Sequence, residues 1–587
     1  MRLAESRTIL VLLAAICVSC FVRKARTYPY AKSRHQLGAF AGDRFLRVLS
    51  PLSQPAATIY GNMTLAPLRL IEAVNPSYVQ VLKEGILSIT SFSLLRKGTV
   101  SEYDISSKEK NSNYRRGYDS VDRFSSSQQS NSRHRKVELD SRELSGDYLW
   151  PNELSQYTDK RGAPVMLISD GFLLPGQNDG GLFAITNPHL KNSRPVRITE
   201  TKPGWFHHKA VYVKLPGGTE GVLTARASKP LLGIGRGELV WLTSPKEKED
   251  AEESVSLKDS IEDLSSNIED DDIIDRFDPP PAWSETILVE GPDVMFEVLD
   301  VDSSDGSLEV IAAHFFGKKL SVHSIRAVEI QGDGGAPVEV HKTEFLDTEG
   351  RPYGLCLANL NSVEENVKKG DSSSSRFSHV LVSTHECTYD IPSAISMAVS
   401  AIRGGYPRIL SGSRWGSLEG GRAGKGITAG DSIDNENFDE RGGSLFAYKI
   451  PRSEDGDNAW TKHSLFRGFK VRGWGGIFSP GAPGFPYAFR MPDKPNEPPL
   501  ILLAGDCTGS AYIFSPNIND EWNENMEKDD KYTFPKYELA FEIECGATVG
   551  SAAIAAISDG SGDLEIFVPS YELNRVHSFR LHRHAEK

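Results

Sequence analysis

Seven short apolar runs in this chain each end on a residue that can hydrogen-bond, ionise or hold a ligand. The runs LSITS, MLISD, LTAR, VIAAH, LVSTH, LLAGD and FVPSY end at Ser91, Asp170, Arg226, His314, His385, Asp506 and Tyr571. Two more histidines, His207 and His208, open a further apolar run. Imidazole and carboxylate are both good ligands for a divalent transition metal. The same groups serve as general acids and bases. Brought together, these side chains could hold a metal or a small polar ligand, or support acid–base chemistry. The blander alternative is a hydrated polar rim with no ligand.

The elements that carry these residues are strands. In the stretch 298–325, VLDVDSSDGSLEVIAAHFFGKKLSVHSI, Asp305-Gly306 marks a turn, because Gly accepts positive φ and Asp hydrogen-bonds its own backbone. The following apolar run is short enough for a buried strand, and His314 closes it. Another strand carries Leu320, Val322 and Ile325. A meander of three strands cannot bury both faces alone and needs copies of itself. After each of the seven runs comes a turn and a third strand, beginning at Gly98, Gly181, Gly237, Lys319, Gly443, Gly509 and Asn574. Seven such units at irregular spacing predict an all-β fold: a single seven-bladed β-propeller interrupted by disordered or loop insertions.

The pattern resembles the FG-GAP or VCBS-type repeats of β-propellers such as the integrin α head. The unit at 549–579, VGSAAIAAISDGSGDLEIFVPSYELNRVHSF, carries the likeness best, and the likeness extends over about 68–581. It implies that each first strand lines a central channel and each second strand returns to the mouth where the first began. Asp170, His207, His208, Arg226, His314, His385, Asp506 and Tyr571 would then gather at one mouth, with His314, His385 and Asp506 facing one another. The resemblance also implies Ca²⁺ in the turn after the first strand, through the pattern D-x-D-x-D-G-x-x-D. Asp300, Asp302, Asp305 and Glu309 approximate it, with one residue inserted before Gly306. Hard Ca²⁺ takes six to eight such oxygens. The last repeat offers only Asp559, Ser561, Asp563 and Glu565.

The rest of the chain sets the context. Residues 1–25 read as a signal peptide, with Arg2 and Arg7 before the apolar core 9–22. An uncleaved type II anchor is the alternative, since Arg23, Lys24 and Arg26 follow. No later segment approaches the length of a membrane span. Residues 26–66 read as an N-terminal extension and 67–581 as the propeller, with a tail at 582–587. The insertion 106–136 is rich in Ser, Asn and Arg, and 246–278 is acidic; both have the composition of disorder. A long loop covers 387–441. The sixth blade is expected over 460–516 and the seventh over 534–581. If a blade lacks a strand, a terminal segment completes it.

Residues 246–278 hold fourteen acidic and four basic residues, a net −10 of the chain's −13. The propeller is thus close to neutral, which argues against nucleic acid as a partner. Cys356, Cys387, Cys507 and Cys545 remain after the leader. They allow two disulfides, with Cys356–Cys387 and Cys507–Cys545 favoured, or four buried free thiols. Asn62 begins the only clear N-glycosylation sequon.

Two functions fit. One is a secreted propeller that binds a protein, glycan or small polar ligand at its face or channel mouth. The other is a metal-dependent lyase, dehydratase or hydrolase acting on a sugar in a His- and Asp-lined channel. P-loop, Rossmann, nucleophile-elbow and H-E-x-x-H signatures are all absent. Binding is the favoured reading.

Overall fold

Strands buried on both faces read as continuous apolar runs, not as alternating ones. The seven runs above behave this way. Each is the second strand of its sheet, with a neighbouring sheet packed on either side. The chain's computed structural model describes residues 58–584, apart from 94–95, 107–134, 138, 172–178, 191–192, 229–234, 246–281, 300–305, 329–337, 361–376, 386–441, 452–458, 471–480 and 518–534. All described residues belong to one unit, Ala57–Thr388 with Ala429–Lys587.

The fold is a seven-bladed β-propeller. Six blades are antiparallel four-stranded sheets, spanning 76–148, 151–197, 205–290, 296–346, 351–469 and 486–544, with strands consecutive in all but the first, where Arg135–Lys136 leaves to pair elsewhere. The seventh is built from 553–583 together with the N-terminal strand Met63–Glu72. In the first six the strands run from the channel outward in chain order. The second strands are Ile86–Ser93, Pro164–Asp170, Glu220–Ser228, Leu308–His314, His379–His385, Leu500–Ala504 and Leu564–Ser570. The blade limits differ from expectation in one respect. Thr461–Phe469 and Tyr537–Glu544 are the outer strands of blades five and six, not the first strands of six and seven.

The apolar core lies between blades. In blade four, Val310 and Ala312 pack against Leu223, Ala225 and Trp241 of blade three. The alternate residues Ile311 and Ala313 pack against Val380 and Val382 of blade five. Strand periodicity therefore decides which neighbour a side chain meets.

The ring closes by pairing the two ends of the chain. Met63–Glu72 lies antiparallel to Arg575–Arg583 and supplies the outer strand of blade seven. Residues 63–66, read from sequence as extension, are thus part of the closing strand, and Arg583 is part of its partner. Arg69 crosses to Glu565 with two hydrogen bonds, Nε at 2.6 Å and a terminal guanidinium nitrogen at 2.5 Å. The outer edge of the closing strand is itself covered, by Thr58–Tyr60 and by Arg135–Lys136. Such cover removes an unpaired strand edge. Of the insertion 106–136, only Ser106 and this short strand are described. The acidic insertion 246–278 and the loop 387–441 lie outside the described residues.

Glycine is required where the segment leading into one blade presses on the third strand of the blade before it. A Cβ on Gly98 would come within 2.3 Å of Pro151, and one on Gly443 within 1.8 Å of the Ala482 carbonyl oxygen.

Candidate functional site

Antiparallel pairing brings the end of each second strand back beside the start of the first: Pro76 faces Ser91, Pro151 faces Asp170, His207 faces Arg226 and Arg351 faces His385. The segment leading into each blade docks here, and carboxylates tie it down. Asp170 accepts hydrogen bonds from the Leu149 and Trp150 amides at 3.1 and 2.7 Å. Asp293 accepts from the amides of Phe315 and Phe316 at 2.6 and 2.8 Å. Glu572 accepts from the Thr548 amide and hydroxyl, both at 2.7 Å. Burial raises the Asp170 pKa, and the Trp150, Leu149 and Gly171 amides pull it back. Asp170 is therefore a structural tie.

Most of the other mouth residues are also committed. Arg226 bonds Glu238 at 2.7 Å and Glu285 at 2.6 Å, with its guanidinium over Trp205. Two carboxylates thus satisfy its charge. His207 Nδ1 meets the Thr224 hydroxyl at 3.0 Å, and burial, reinforced by Arg226, holds its pKa down to about 3. The pairing register slips between His207 and Lys209, so plain alternation fails at His208. His208 packs edge-on to Phe206, and burial lowers its pKa to about 4. The Tyr571 hydroxyl donates to the Phe92 carbonyl at 3.2 Å, sealing blade seven to blade one. Ser91 is buried in the blade-one sheet.

Of the three residues expected to face one another, two come together. His385 Nε2 lies 3.8 Å from Asp506 Oδ2, across the junction of blades five and six. His314 is engaged elsewhere: its Nε2 meets the Ser321 hydroxyl at 2.6 Å. By alternation His314 shares a sheet face with Val310 and Ala312, toward blade three and away from His385.

The His385–Asp506 junction is the least satisfied part of the mouth. His385 is only 3% exposed, and neither ring nitrogen makes a hydrogen bond of ordinary geometry; the Pro483 backbone carbonyl is the acceptor beside the ring. Its Nδ1 is packed so closely on Gly481 that a Cβ there would lie 2.1 Å away. Tyr353 stacks on the ring at 4.1 Å and Phe315 meets it edge-on at 5.7 Å. Burial lowers the His385 pKa to about 3; the nearby Pro483 backbone opposes this and Arg351 adds to it. Burial likewise pushes Asp506 up to about 7, with the Cys507 thiol pulling back and Glu572 adding. Cys507 Sγ donates to Asp506 Oδ1 at 3.6 Å, and burial with Asp506 beside it raises the thiol well above its usual value. A thiol so placed is a hydrogen-bond donor, not a thiolate nucleophile.

Below the mouth lies a constellation that reading the sequence missed. Lys209, on the first strand of blade three, reaches Glu153 of blade two at 3.4 Å and Glu297 of blade four at 2.7 Å. Burial disfavours the ammonium, but Glu153 and Glu297 outweigh it and raise its pKa. Burial pushes Glu153 up to about 7 despite Lys209. Tyr78, Phe485 and Tyr353 join blades one, six and five by ring contacts at 5.1 and 4.8 Å. A signal was present: one charged residue interrupts each of the first strands PNEL, FHHKAV and FEVL.

Asp300, Asp302 and Asp305 lie outside the described residues; Glu309 accepts from the Ser307 hydroxyl at 3.3 Å. The related turn of blade seven has its acids occupied: Asp559 by Arg580, Asp563 by Arg580 and His582, and Glu565 by Arg69. Among the described residues no three His, Cys, Asp or Glu side chains group to hold a metal. Cys356, Cys507 and Cys545 are free thiols, so Cys507 and Cys545 are not joined; Cys387, the expected partner of Cys356, lies outside the described residues. The reason is local, since Cys507 turns to Asp506 and Cys545 Sγ to the Ile543 carbonyl at 3.5 Å. Asn62 sits in the turn before the closing strand, where its carbonyl accepts from the His584 amide at 2.7 Å. No described helix is long and apolar enough to cross a membrane.

No protein-family model and no curated protein sequence matches this chain. Solved structures do. One is a complex of S. cerevisiae Dbp5 bound to Nup159, Gle1, IP6 and ADP, in which the Dbp5 and Gle1 chains each carry a point substitution. It has 10% identity, 90% of this chain and 98% of that chain covered, and a TM-score of 0.34. Another is BBS1N in complex with ARL6DN, soaked with mercury, with 8% identity, 90% and 97% covered, and a TM-score of 0.33. A third is the α-L-arabinofuranosidase Arb93A from Fusarium graminearum with an iminosugar inhibitor, with 9% identity, 74% and 93% covered, and a TM-score of 0.31. Likenesses this distant carry no statement about what the chain binds or does.

Proposed function

We propose that this chain is a secreted FG-GAP- or VCBS-type propeller that binds a glycan, protein or small polar ligand at its channel mouth without converting it. One observation carries the choice of binding over sugar chemistry: the Lys209 ammonium lies between Glu153 and Glu297, 3.4 and 2.7 Å from them. Glycoside cleavage by two carboxyl groups needs the scissile bond between them. Here that space holds a buried ammonium, and moving it would leave two half-buried carboxyl groups without their cation. Such a break costs about 3–5 kcal/mol. Ligand is therefore met above this stopper, at the second-strand ends.

Incubating the purified protein with neutral and uronate-containing oligosaccharides tests the reading. We expect no new reducing ends and no unsaturated products, with retention of ligand on a glycan array. Turnover above the blank, whether or not it survives Glu153→Gln or Glu297→Gln, would overturn it. Secretion has its own check. Expressed in a eukaryotic host, the protein should reach the medium with an endoglycosidase-sensitive mass at Asn62, lost in Asn62→Gln.

A further inference from the structure

His385 and Asp506 hold two hydrogen-bonding groups at a distance that suits neither alone. At 3.8 Å they are too far apart to bond each other. They are close enough for one oxygen, set to the side, to lie about 2.8 Å from both. His385 is buried and makes no hydrogen bond of ordinary geometry, with the Pro483 backbone carbonyl beside its ring, whereas the Asp506 side chain keeps 17% exposure, so the solvent-facing side of the pair is the Asp506 side. A buried polar group left without a partner costs about 1–3 kcal/mol, so a partner is to be expected there.

The chemistry of the surroundings limits what that partner is. The cation near His385, Arg351, is engaged by the Phe315 carbonyl at 3.2 Å and lies over the Phe315 ring. Asp506, with Glu572 beside it, disfavours an anion. Burial keeps His385 neutral, and Asp506 carries a proton much of the time near neutrality. A hydroxyl donates and accepts at once, so it serves a neutral imidazole and a carboxyl in either protonation state. Tyr353 and Phe315 supply an apolar wall beside the pair.

We propose that the His385–Asp506 junction is a binding site for a neutral polyhydroxy small molecule, a sugar or polyol, one hydroxyl of which bridges His385 Nε2 and Asp506. This rests on the binding reading above and names the ligand class. The full-length protein is titrated with glucose, galactose, arabinose and sorbitol, and with acetate and tetramethylammonium as charged probes, by calorimetry and saturation-transfer NMR. At least one neutral probe should bind and shift the His385 side-chain ¹⁵N resonances. His385→Ala and Asp506→Ala should each weaken it about tenfold or more. His385→Gln, which keeps a donor and an acceptor, should recover most of that loss, and melting curves establish that each variant folds. The proposal is overturned if no neutral probe binds at tens of millimolar, which would leave the junction to ordered water alone. It is equally overturned if binding survives both alanine variants, or if a charged probe binds at the pair in preference. Conversion of a bound probe would instead sink the non-enzymatic reading, while the tenfold losses would still support the pair.

Discussion

One hydroxyl proton organises the interior of blade four. His314 Nε2, the Ser321 hydroxyl, His323 Nε2 and, from His323 Nδ1, the Thr343 hydroxyl form a chain with steps of 2.6, 2.7 and 3.0 Å. With both imidazoles neutral, every nitrogen in the chain can face an opposite partner. With both protonated, Ser321 would meet two N–H donors. Burial lowers both pKa values to about 4, with His323 and Lys319 lowering His314 further. Because the folded values lie below the unfolded 6.5, the stability they contribute is complete above pH 6.5. It is lost as pH falls toward 4, by up to about 3 kcal/mol for each histidine. Glu153, Asp293 and Asp506, raised to about 7, work in the opposite sense: they favour the folded state at low pH and lose that contribution as pH rises through 7. A comparison of variants separates the two. The double variant His314→Asn, His323→Asn should be less stable than the parent at pH 7.5 and lose less on going to pH 4.5. Parallel urea-midpoint curves would show that these histidines are not titrating as argued. Ser321→Ala should cost about 1–3 kcal/mol at neutral pH, since it strands two buried imidazoles.

At the scale of elements, stability is concentrated where blades meet and where the ring closes. The Arg69–Glu565 pair joins the first closing strand to the second strand of blade seven, with side chains 13% and 3% exposed. Removing one partner leaves a buried charge, so Arg69→Ala or Glu565→Ala should cost about 3–5 kcal/mol by denaturant melts. A loss below 1 kcal/mol would mean that the strand pairing carries the closure without the pair. The third-strand glycines make a sharper test of blade contact. Gly443→Ala brings a methyl against the Ala482 carbonyl, whereas Gly162→Ala meets nothing within 4 Å and is strained only by its positive φ of 81°. The first should destabilise by several times more than the second, whose backbone strain is on the order of 1 kcal/mol. Equal losses would contradict the close blade-to-blade approach.

The whole molecule is one ring in which each blade shares its core with two neighbours. Cuts in the insertions should therefore leave the blades held together. Limited proteolysis is expected to cleave within 106–136 and 246–278, whose composition is that of disorder, while the nicked protein still melts in a single transition. Two separable transitions, or fragments that part on a sizing column, would argue for independent halves.

How much of this was written in the sequence follows from what each feature depends on. The seven second strands were legible because a strand sandwiched between blades must be apolar on both faces, and the polar residue ending each run marks where apolar packing gives way to buried polar contacts. The meeting of His385 with Asp506 followed from that alignment. The turning away of His314 did not, because the same terminal position can be filled by a rotamer aimed at its own sheet. The limits of blades six and seven were shifted by a strand, since an outer strand and a following first strand look alike until hydrogen bonds assign them. The closing strand at 63–72 was read partly as extension because its partner lies some five hundred residues away, and local patterning carries no record of such a pairing. The Lys209–Glu153–Glu297 stopper escaped for the same reason. Each residue alone is a stray charge in an apolar strand, and only the packing of blades two, three and four side by side brings their first strands close enough for opposite charges to satisfy one another.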